Sequence, residues 1–219
     1  MAGSNPTPDA MELSSALICD ALDELGLPVQ LMDDAIRPLA LDTVICGPVL
    51  TVEVQSSSEV TAPDVPYANE ILAVDALQPG SVSVYAVPAD NRAAVWGELF
   101  SHAALARGAA GAIVDGYVRD TRQLREMKYP VFCRGASPLD TRARARVREI
   151  GSPVQAGGVQ VHTGDFVVAD SDGVVVVPAS AMADVRQLVL HRVRRESGAR
   201  HELRNGRSLD AVWDKWRVL

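Results

Sequence analysis

Three charged residues, Glu98, Arg119 and Asp120, fall within the stretch WGELFSHAALARGAAGAIVDGYVRD from Trp96 to Asp120, and their spacing sets two carboxylates and a guanidinium around one prospective pocket. Between Gly97 and Gly108 the apolar residues Leu99, Ala103 and Ala106 recur at helical spacing, which places Glu98 in the first turn of a predicted helix stopping at Gly108. Ala109 to Val114 is an apolar run too short for a typical helix, and Asp115-Gly116 directly after it carries a turn signal. Arg119 and Asp120 are therefore expected just past the carboxyl end of a strand. Ligands of open α/β sheets collect beyond strand carboxyl ends, and the free N–H groups of a helix N-terminus attract carboxylates and phosphates. The chemistry this arrangement suits is capture of a small anionic molecule. Each residue also has an ordinary role: Glu98 suits any first helical turn, and Arg119 beside Asp120 can be a solvated ion pair of little energetic weight. Placement at element ends, not along an exposed helical face, favours the functional reading.

The elements that would position these residues alternate early and become strand-rich later. A helix is predicted from Ser14 to Leu25 with Gly26 as its stop, then short strands near Thr43 to Val54. VPYANEILAVDAL (Val65 to Leu77) reads as a second helix ending before the turn Gln78-Pro79-Gly80, and Ser81 to Val87 as a strand. Further strands are expected at Val131–Arg134, Arg144–Glu149, Gly158–His162, Phe166–Ala169 and Val174–Val177, with turns at Gly164-Asp165 and Asp172-Gly173. In the Arg142 to Arg148 stretch, arginines alternate with Thr or small and apolar residues, as in a strand with one solvated or interfacial face. From Ala179 to Asn205 the chain turns helical, Gly206 ends it, and Trp213 and Trp216 beyond look exposed enough for a subunit contact. The pattern predicts an α/β layered fold in a single domain spanning 1–219, with 179–219 as a C-terminal helical interface segment.

Composition narrows the class without choosing a reaction. At 219 residues the chain can bury roughly 70% of its unfolded surface, enough for one good core. Cys19, Cys46 and Cys133 are odd in number, far apart and without CxxC spacing, so neither a zinc site nor a disulfide framework is indicated, and a reducing cytoplasm fits. The opening MAGSNPTPDA has no basic region or apolar core, and no apolar run approaches the roughly 20 residues of a membrane span, so neither secretion nor membrane insertion is expected. Formal net charge is -7, yet residues 186 to 219 are basic. An acidic whole repels phosphate backbones and no RNA-binding aromatic motif accompanies the tail, so docking onto an acidic neighbouring subunit is expected there, not nucleic acid.

Beyond the acidic residue followed after twenty positions by Arg-Asp, further segments share a pattern: CDALDELG at Cys19–Gly26, GPVLTV at Gly47–Val52, YPVFCRGASP at Tyr129–Pro138, AGGVQVHTGDFVVADSDGVVVVP at Ala156–Pro178 and RNGRSL at Arg204–Leu209. On these the chain resembles the aldolase family of 4-hydroxy-4-methyl-2-oxoglutarate and 4-carboxy-4-hydroxy-2-oxoadipate, which also contains the regulator of ribonuclease E activity A. The resemblance implies a β/β/α swivelling-type domain and a divalent-metal-dependent lyase acting on small 2-oxo acids, assembled as a homotrimer or dimer of trimers with sites between subunits. It implies that Asp120 ligates Mg2+ or Mn2+, that Glu98 holds the ion through water, and that Glu196 of a neighbouring subunit completes the site. Arg119 would contact the keto oxygen, and backbone amides around Gly97, Glu98 and Leu99 would take the carboxylate. Many members carry Asp where this chain has Glu98.

The implied reaction leaves an enolate, so negative charge on the keto oxygen must be stabilised. The only lysines, Lys128 and Lys215, lie outside the pocket block, which argues against a Schiff base. Oxygen ligands and a magnesium-like ion that keeps several waters are the remaining common answer, and Arg119 adds a permanent charge. The same electron sink would serve oxaloacetate decarboxylation. His102, four residues beyond Glu98, is expected to be a surface or interface residue, and Asn91, Arg92, Tyr117 and Arg122 are candidates for reading the distal substrate groups. Two other readings are weighed: a regulatory binding protein resembling the ribonuclease E inhibitor, and quinone methyl transfer, against which stands the lack of a glycine-rich nucleotide loop after a strand.

Overall fold

A computed structural model describes residues 13–59 and 67–218; the readings of the MAGSNPTPDA segment and of Val65 and Pro66 fall outside them. In chain order the elements are α1 (Ser15–Glu24), β1 (Gln30–Leu31), β2 (Arg37–Pro38), β3 (Ile45–Ser56), α2 (Ala68–Asp75), β4 (Val82–Ala86), β5 (Ala94–Trp96), α3 (Glu98–Ala106) and β6 (Gly111–Val118). There follow α4 (Thr121–Met127), β7 (Val131–Ala136), β8 (Ala145–Ile150), β9 (Val154–Ala156), β10 (Val159–Val161), β11 (Phe166–Ala169), β12 (Val174–Val177), α5 (Met182–Arg204) and α6 (Leu209–Trp216).

Parallel pairing of β3 with β4, β4 with β6 and β6 with β7 forms the centre of one sheet, each step carrying a helix in its crossover. Antiparallel strands finish its flanks: β2 beside β7, and β11, β12 and β1 in succession beyond β3. β4 and most of β6 are buried on both faces, as the continuous apolar character of covered parallel strands requires. Side chains alternate: Val82, Val84 and Ile113 pack under the β9–β10 hairpin with Val154, Ala156 and Val161, while Tyr85, Ala112 and Val114 face the helices with Trp96 and Leu124. Hairpin, sheet and helices give the three-layer β/β/α arrangement that the family resemblance implies. α1 and α5 close the β11–β12 end through Leu17, Ile18, Leu22, Val185 and Val189. Ser14 caps α1 by accepting the Leu17 N–H, and Gly26 at φ +66° ends it.

Several local expectations are corrected. Asp115-Gly116 is not a turn: β6 runs through it to Val118, with a register shift between Val114 and Tyr117 against β7. The Asp115 carboxylate binds Arg134 and accepts the Gly157 N–H at 2.6 Å, and a Cβ on Gly116 would stand 3.0 Å from the Val87 side chain. A bulge and a close approach thus use the residues that a turn would use. Trp216 is not an exposed aromatic. It folds against α5 where Gly198 leaves no room for a Cβ, and its Nε1 donates to Glu202. Much of the basic tail is occupied within its own chain: Arg192 pairs with Asp20 and Glu24 of α1, and Arg195 donates to the carbonyls of Trp216 and Arg217. Among the described residues no helix is long and apolar enough to cross a membrane.

One buried group works against the fold. Glu70 of α2 is 4% exposed, and its Oε1 has no hydrogen-bond partner among the described residues. Burial pushes its carboxyl above the ordinary 4.5, opposed by backbone hydrogen bonds at Glu70 and Val147. An acid that binds its proton more tightly when folded loses stability as pH rises from the unfolded value through the folded one. Glu70→Gln is therefore expected to melt a few degrees above the parent near pH 8, with the gap closing toward pH 4. Thermal unfolding across that range checks it; identical melting curves at every pH would show that Glu70 carries no burial penalty.

Candidate active site

The loop from β5 into α3 and the end of β6 meet at one point. The Arg119 N–H donates to the Trp96 carbonyl at 2.9 Å, which sets Arg119 and Asp120 beside Gly97 and Glu98. Asp120 adopts a left-handed conformation (φ 57°, ψ 35°), tolerated by Asp more readily than by most residues. Its side chain does not cap its own helix α4; Oδ2 accepts the Glu98 N–H at 3.2 Å. A Cβ on Gly97 would lie 2.7 Å from that Oδ2 and 3.1 Å from Arg119 Cγ, so glycine is required for the approach. An α-helix leaves its first N–H groups without intrahelical acceptors. With Glu98 N–H taken by Asp120 and Ser101 N–H bonded to the Gly97 carbonyl, the Leu99 and Phe100 amides remain to receive an anion.

Trp96 forms the floor. It is 1% exposed, stacks on Tyr129, meets Tyr85 and Phe100 edge-on, and donates from Nε1 to Ser101 Oγ at 2.7 Å. Above it opens a cleft of about 490 Å³ bounded by Tyr67, Glu98, Phe100, Arg119, Asp120 and Asp140. Asp140 is a member that sequence reasoning missed. Its Oδ2 receives Arg119 Nη1 at 2.6 Å, and its Oδ1 accepts the Tyr67 hydroxyl at 2.9 Å and the Arg142 N–H at 2.7 Å. Partial burial alone would raise the Asp140 carboxyl, but the Arg142 amide, the Arg119 guanidinium and the Tyr67 hydroxyl together hold it below the usual carboxylate range. Burial and then the Asp140 hydrogen bond push the Tyr67 phenol up, so it stays a donor. The signal was present: Ser137-Pro138-Leu139-Asp140 follows the carboxyl end of β7, which lies parallel to β6.

Glu98, Arg119 and Asp120 are brought together as expected, and Gly97 and Leu99 line the same cleft. His102 lies 3.8 Å from Glu98 and is exposed. Glu196 is elsewhere in its own chain, in a groove with Leu17, Asp20 and Arg200, 3.7 Å from Arg200. None of the candidate distal readers, Asn91, Arg92, Tyr117 and Arg122, lines this cleft within its own chain. Asn91 is buried, bonded to Ser56, the Arg144 carbonyl and Ala93; Arg92 covers the Tyr117 ring at 4.2 Å; Arg122 pairs with Glu126 on the surface.

The donor set can be tested against the metal that the family resemblance implies. Among the described residues no three His, Cys, Asp or Glu side chains converge, so a caged structural site is not built. Glu98 and Asp120 share the cleft, and no hydrogen bond engages Asp120 Oδ1 among the described residues. One or two carboxylates with the remaining positions left to water and substrate fit a magnesium-type ion.

A family model described as RraA-like, Aldolase/RraA, matches residues 15–176. A Halalkalibacterium halodurans protein named "Putative 4-hydroxy-4-methyl-2-oxoglutarate aldolase" is 31% identical over 175 residues, covering 80% of this chain and 77% of that protein. An uncharacterized protein from Pseudomonas syringae pv. tomato superposes with a TM-score of 0.80 at 27% identity, covering 93% of this chain and 94% of the other. Streptomyces coelicolor RraAS2, described as an unusual member of the RNase ES inhibitor RraA protein family, superposes with a TM-score of 0.77 at 28% identity, covering 88% of this chain and 96% of its own. With the family model spanning most of its length, the chain belongs to the RraA-like, Aldolase/RraA family.

Proposed function

We propose that this protein is a divalent-cation-dependent carbon–carbon lyase that cleaves 4-hydroxy-2-oxo acids to pyruvate, with 4-hydroxy-4-methyl-2-oxoglutarate as the reference substrate, and that the same site decarboxylates oxaloacetate. The observation that carries the reading is the meeting of Arg119 and Asp120 with the free N-terminus of α3 in one cleft. Both reactions leave the enolate of pyruvate, and the site stabilises charge where that enolate forms.

In this reading the Leu99 and Phe100 amides receive the substrate carboxylate, and the guanidinium of Arg119, braced by Asp140, stands against the keto oxygen as it gains charge. Asp120, with Glu98 acting through water, would hold Mg2+ or Mn2+; bound there, the ion supplies Lewis-acid polarisation of the keto group. Trp96, Phe100 and Ile71 of α2 exclude water from one wall, which strengthens each of these interactions. Glu196 of a neighbouring copy completes the site in a homotrimer or dimer of trimers, a role compatible with its distance from the cleft of its own chain. A second reading, a regulatory binding protein, draws on the match to the Streptomyces coelicolor inhibitor-family member. Binding of a ribonuclease that survives loss of Asp120 would favour it.

Pyruvate release from oxaloacetate and from 4-hydroxy-4-methyl-2-oxoglutarate, assayed with Mg2+, Mn2+ or chelator, tests the proposal. Release is expected to cease in chelator and return with either ion. Asp120→Ala and Arg119→Ala are expected to lower kcat by about 10²-fold or more with the fold retained, Asp120→Ala melting somewhat below the parent because alanine suits the left-handed backbone less well than Asp. Gly97→Ala, which drives a methyl into the Asp120 carboxylate, is expected to lower kcat at least about tenfold with the fold retained. Parental rates in folded Asp120→Ala and Arg119→Ala proteins would sink the site assignment.

A further inference from the structure

Arg119 and Asp120 are adjacent in sequence and opposite in charge, yet the proposed reaction gives them separate tasks: the guanidinium at the keto oxygen, the carboxylate on a cation. A guanidinium presents a planar fork of N–H donors that pairs readily with any carboxylate in reach. Left to each other, the two side chains would close into an ion pair and neither would be free. The structure holds them apart. Arg119 Nε is 3.7 Å from Asp120 Oδ2, beyond hydrogen-bond distance, while Arg119 Nη1 donates to Asp140 Oδ2 at 2.6 Å. Asp120 Oδ2 accepts the Glu98 N–H instead, and no hydrogen bond engages its Oδ1 among the described residues.

Asp140 is fixed independently of Arg119. Its Oδ1 accepts the Arg142 N–H at 2.7 Å, closing a local turn, and the Tyr67 hydroxyl at 2.9 Å from the start of α2. Arg142 adds a second positive charge on this side, felt at Tyr67. If the Asp140 charge is removed, the carboxylate that remains within 4.0 Å of the Arg119 guanidinium among the described residues is Asp120.

We propose that Asp140 is a positioning residue whose task is to hold Arg119 off Asp120, which leaves the Asp120 carboxylate open to a divalent cation and the guanidinium open to the keto oxygen. The inference rests on the cation assignment in the reading above. Asp140 acts on cation binding through Arg119: without its charge the guanidinium turns to Asp120, and a cation must displace it. A direct charge effect is separable from this. Asp140→Asn also deletes one negative charge near the site, which weakens binding of any cation. That contribution persists when Arg119 is absent, whereas the positional one vanishes.

The test is Mn2+ binding to the assembled full-length protein without substrate, read from the electron paramagnetic resonance of the free ion. The proteins compared are the parent, Asp140→Asn, Arg119→Ala and the double variant. Asparagine keeps an oxygen for the Arg142 and Tyr67 donors; should that variant not fold, Asp140→Ser, whose hydroxyl can accept the Arg142 N–H, takes its place. Asp140→Asn is expected to raise the Mn2+ Kd by about tenfold or more with Arg119 present, and by less than about threefold in the Arg119→Ala background. Equal weakening in both backgrounds overturns the proposal and leaves Asp140 as one negative charge among several. Unchanged affinity in the folded single variant also overturns it. No Mn2+ binding by the parent, or binding that Asp120→Ala leaves intact, overturns the cation assignment itself and this inference with it.

Discussion

The bond from the Glu98 amide to the Asp120 carboxylate ties the amino end of α3 to the carboxyl end of β6, and most of the site follows from it. For the carboxylate to arrive there, Asp120 must leave the right-handed region and give up capping α4, and residue 97 must have no Cβ. Each is a local sacrifice that a packed scaffold can sustain because its neighbours over-determine the geometry. Trp96 supplies much of that determination: its carbonyl receives the Arg119 amide, and its indole N–H engages Ser101 one turn into the helix. Strand end, helix start and aromatic floor are thus one rigid unit, which is what aiming a guanidinium and a carboxylate at a small substrate demands.

The charge arrangement is asymmetric across the cleft. One wall is the helix N-terminus, a positive end made of backbone and independent of pH. The other carries Asp140, kept ionised by the Arg142 amide, Arg119 and Tyr67. Arg119 lies between two carboxylates, so its orientation is held from both sides and its charge is largely balanced before any ligand arrives. Carboxylates outnumber guanidinium groups among the described lining residues, so the attraction for an anionic ligand comes from the helix N-terminus and the Arg119 guanidinium.

The legible parts of this site were those encoded locally. Glu98, Arg119 and Asp120 could be read because helix and strand periodicity place residues relative to element ends, and because the intervening twenty residues hold one helix and one strand. Asp140 escaped because its partner Arg119 belongs to another strand end, and sequence alone does not show that β6 and β7 are adjacent. Asp115-Gly116 was misread because a bulge and a turn use the same residue types for different reasons: a side-chain acceptor and a missing Cβ, not a reversal. The tail's charge suggested an external partner, whereas α1 offered Asp20 and Glu24 from the far end of the chain. The layered α/β class was accessible because helices alternate with strands early and strands dominate later, while the three-layer β/β/α arrangement came from the family resemblance; which strand lies beside which was not legible.

β3 carries a cost of a different kind. Its central residues pair with β4 directly after it, but its first half waits for β11 and its second half for β8, both supplied much later in the chain. A nascent polypeptide therefore holds a long, apolar strand with one edge unpaired through much of its synthesis. Non-local completion of this sort slows folding and prolongs exposure of a strand-pairing template. The central strand that gives the finished sheet its continuity is thus also the segment through which newly made chains would most readily associate with one another, so yield on expression should respond to temperature and to chaperone supply more than the stability of the finished fold would suggest.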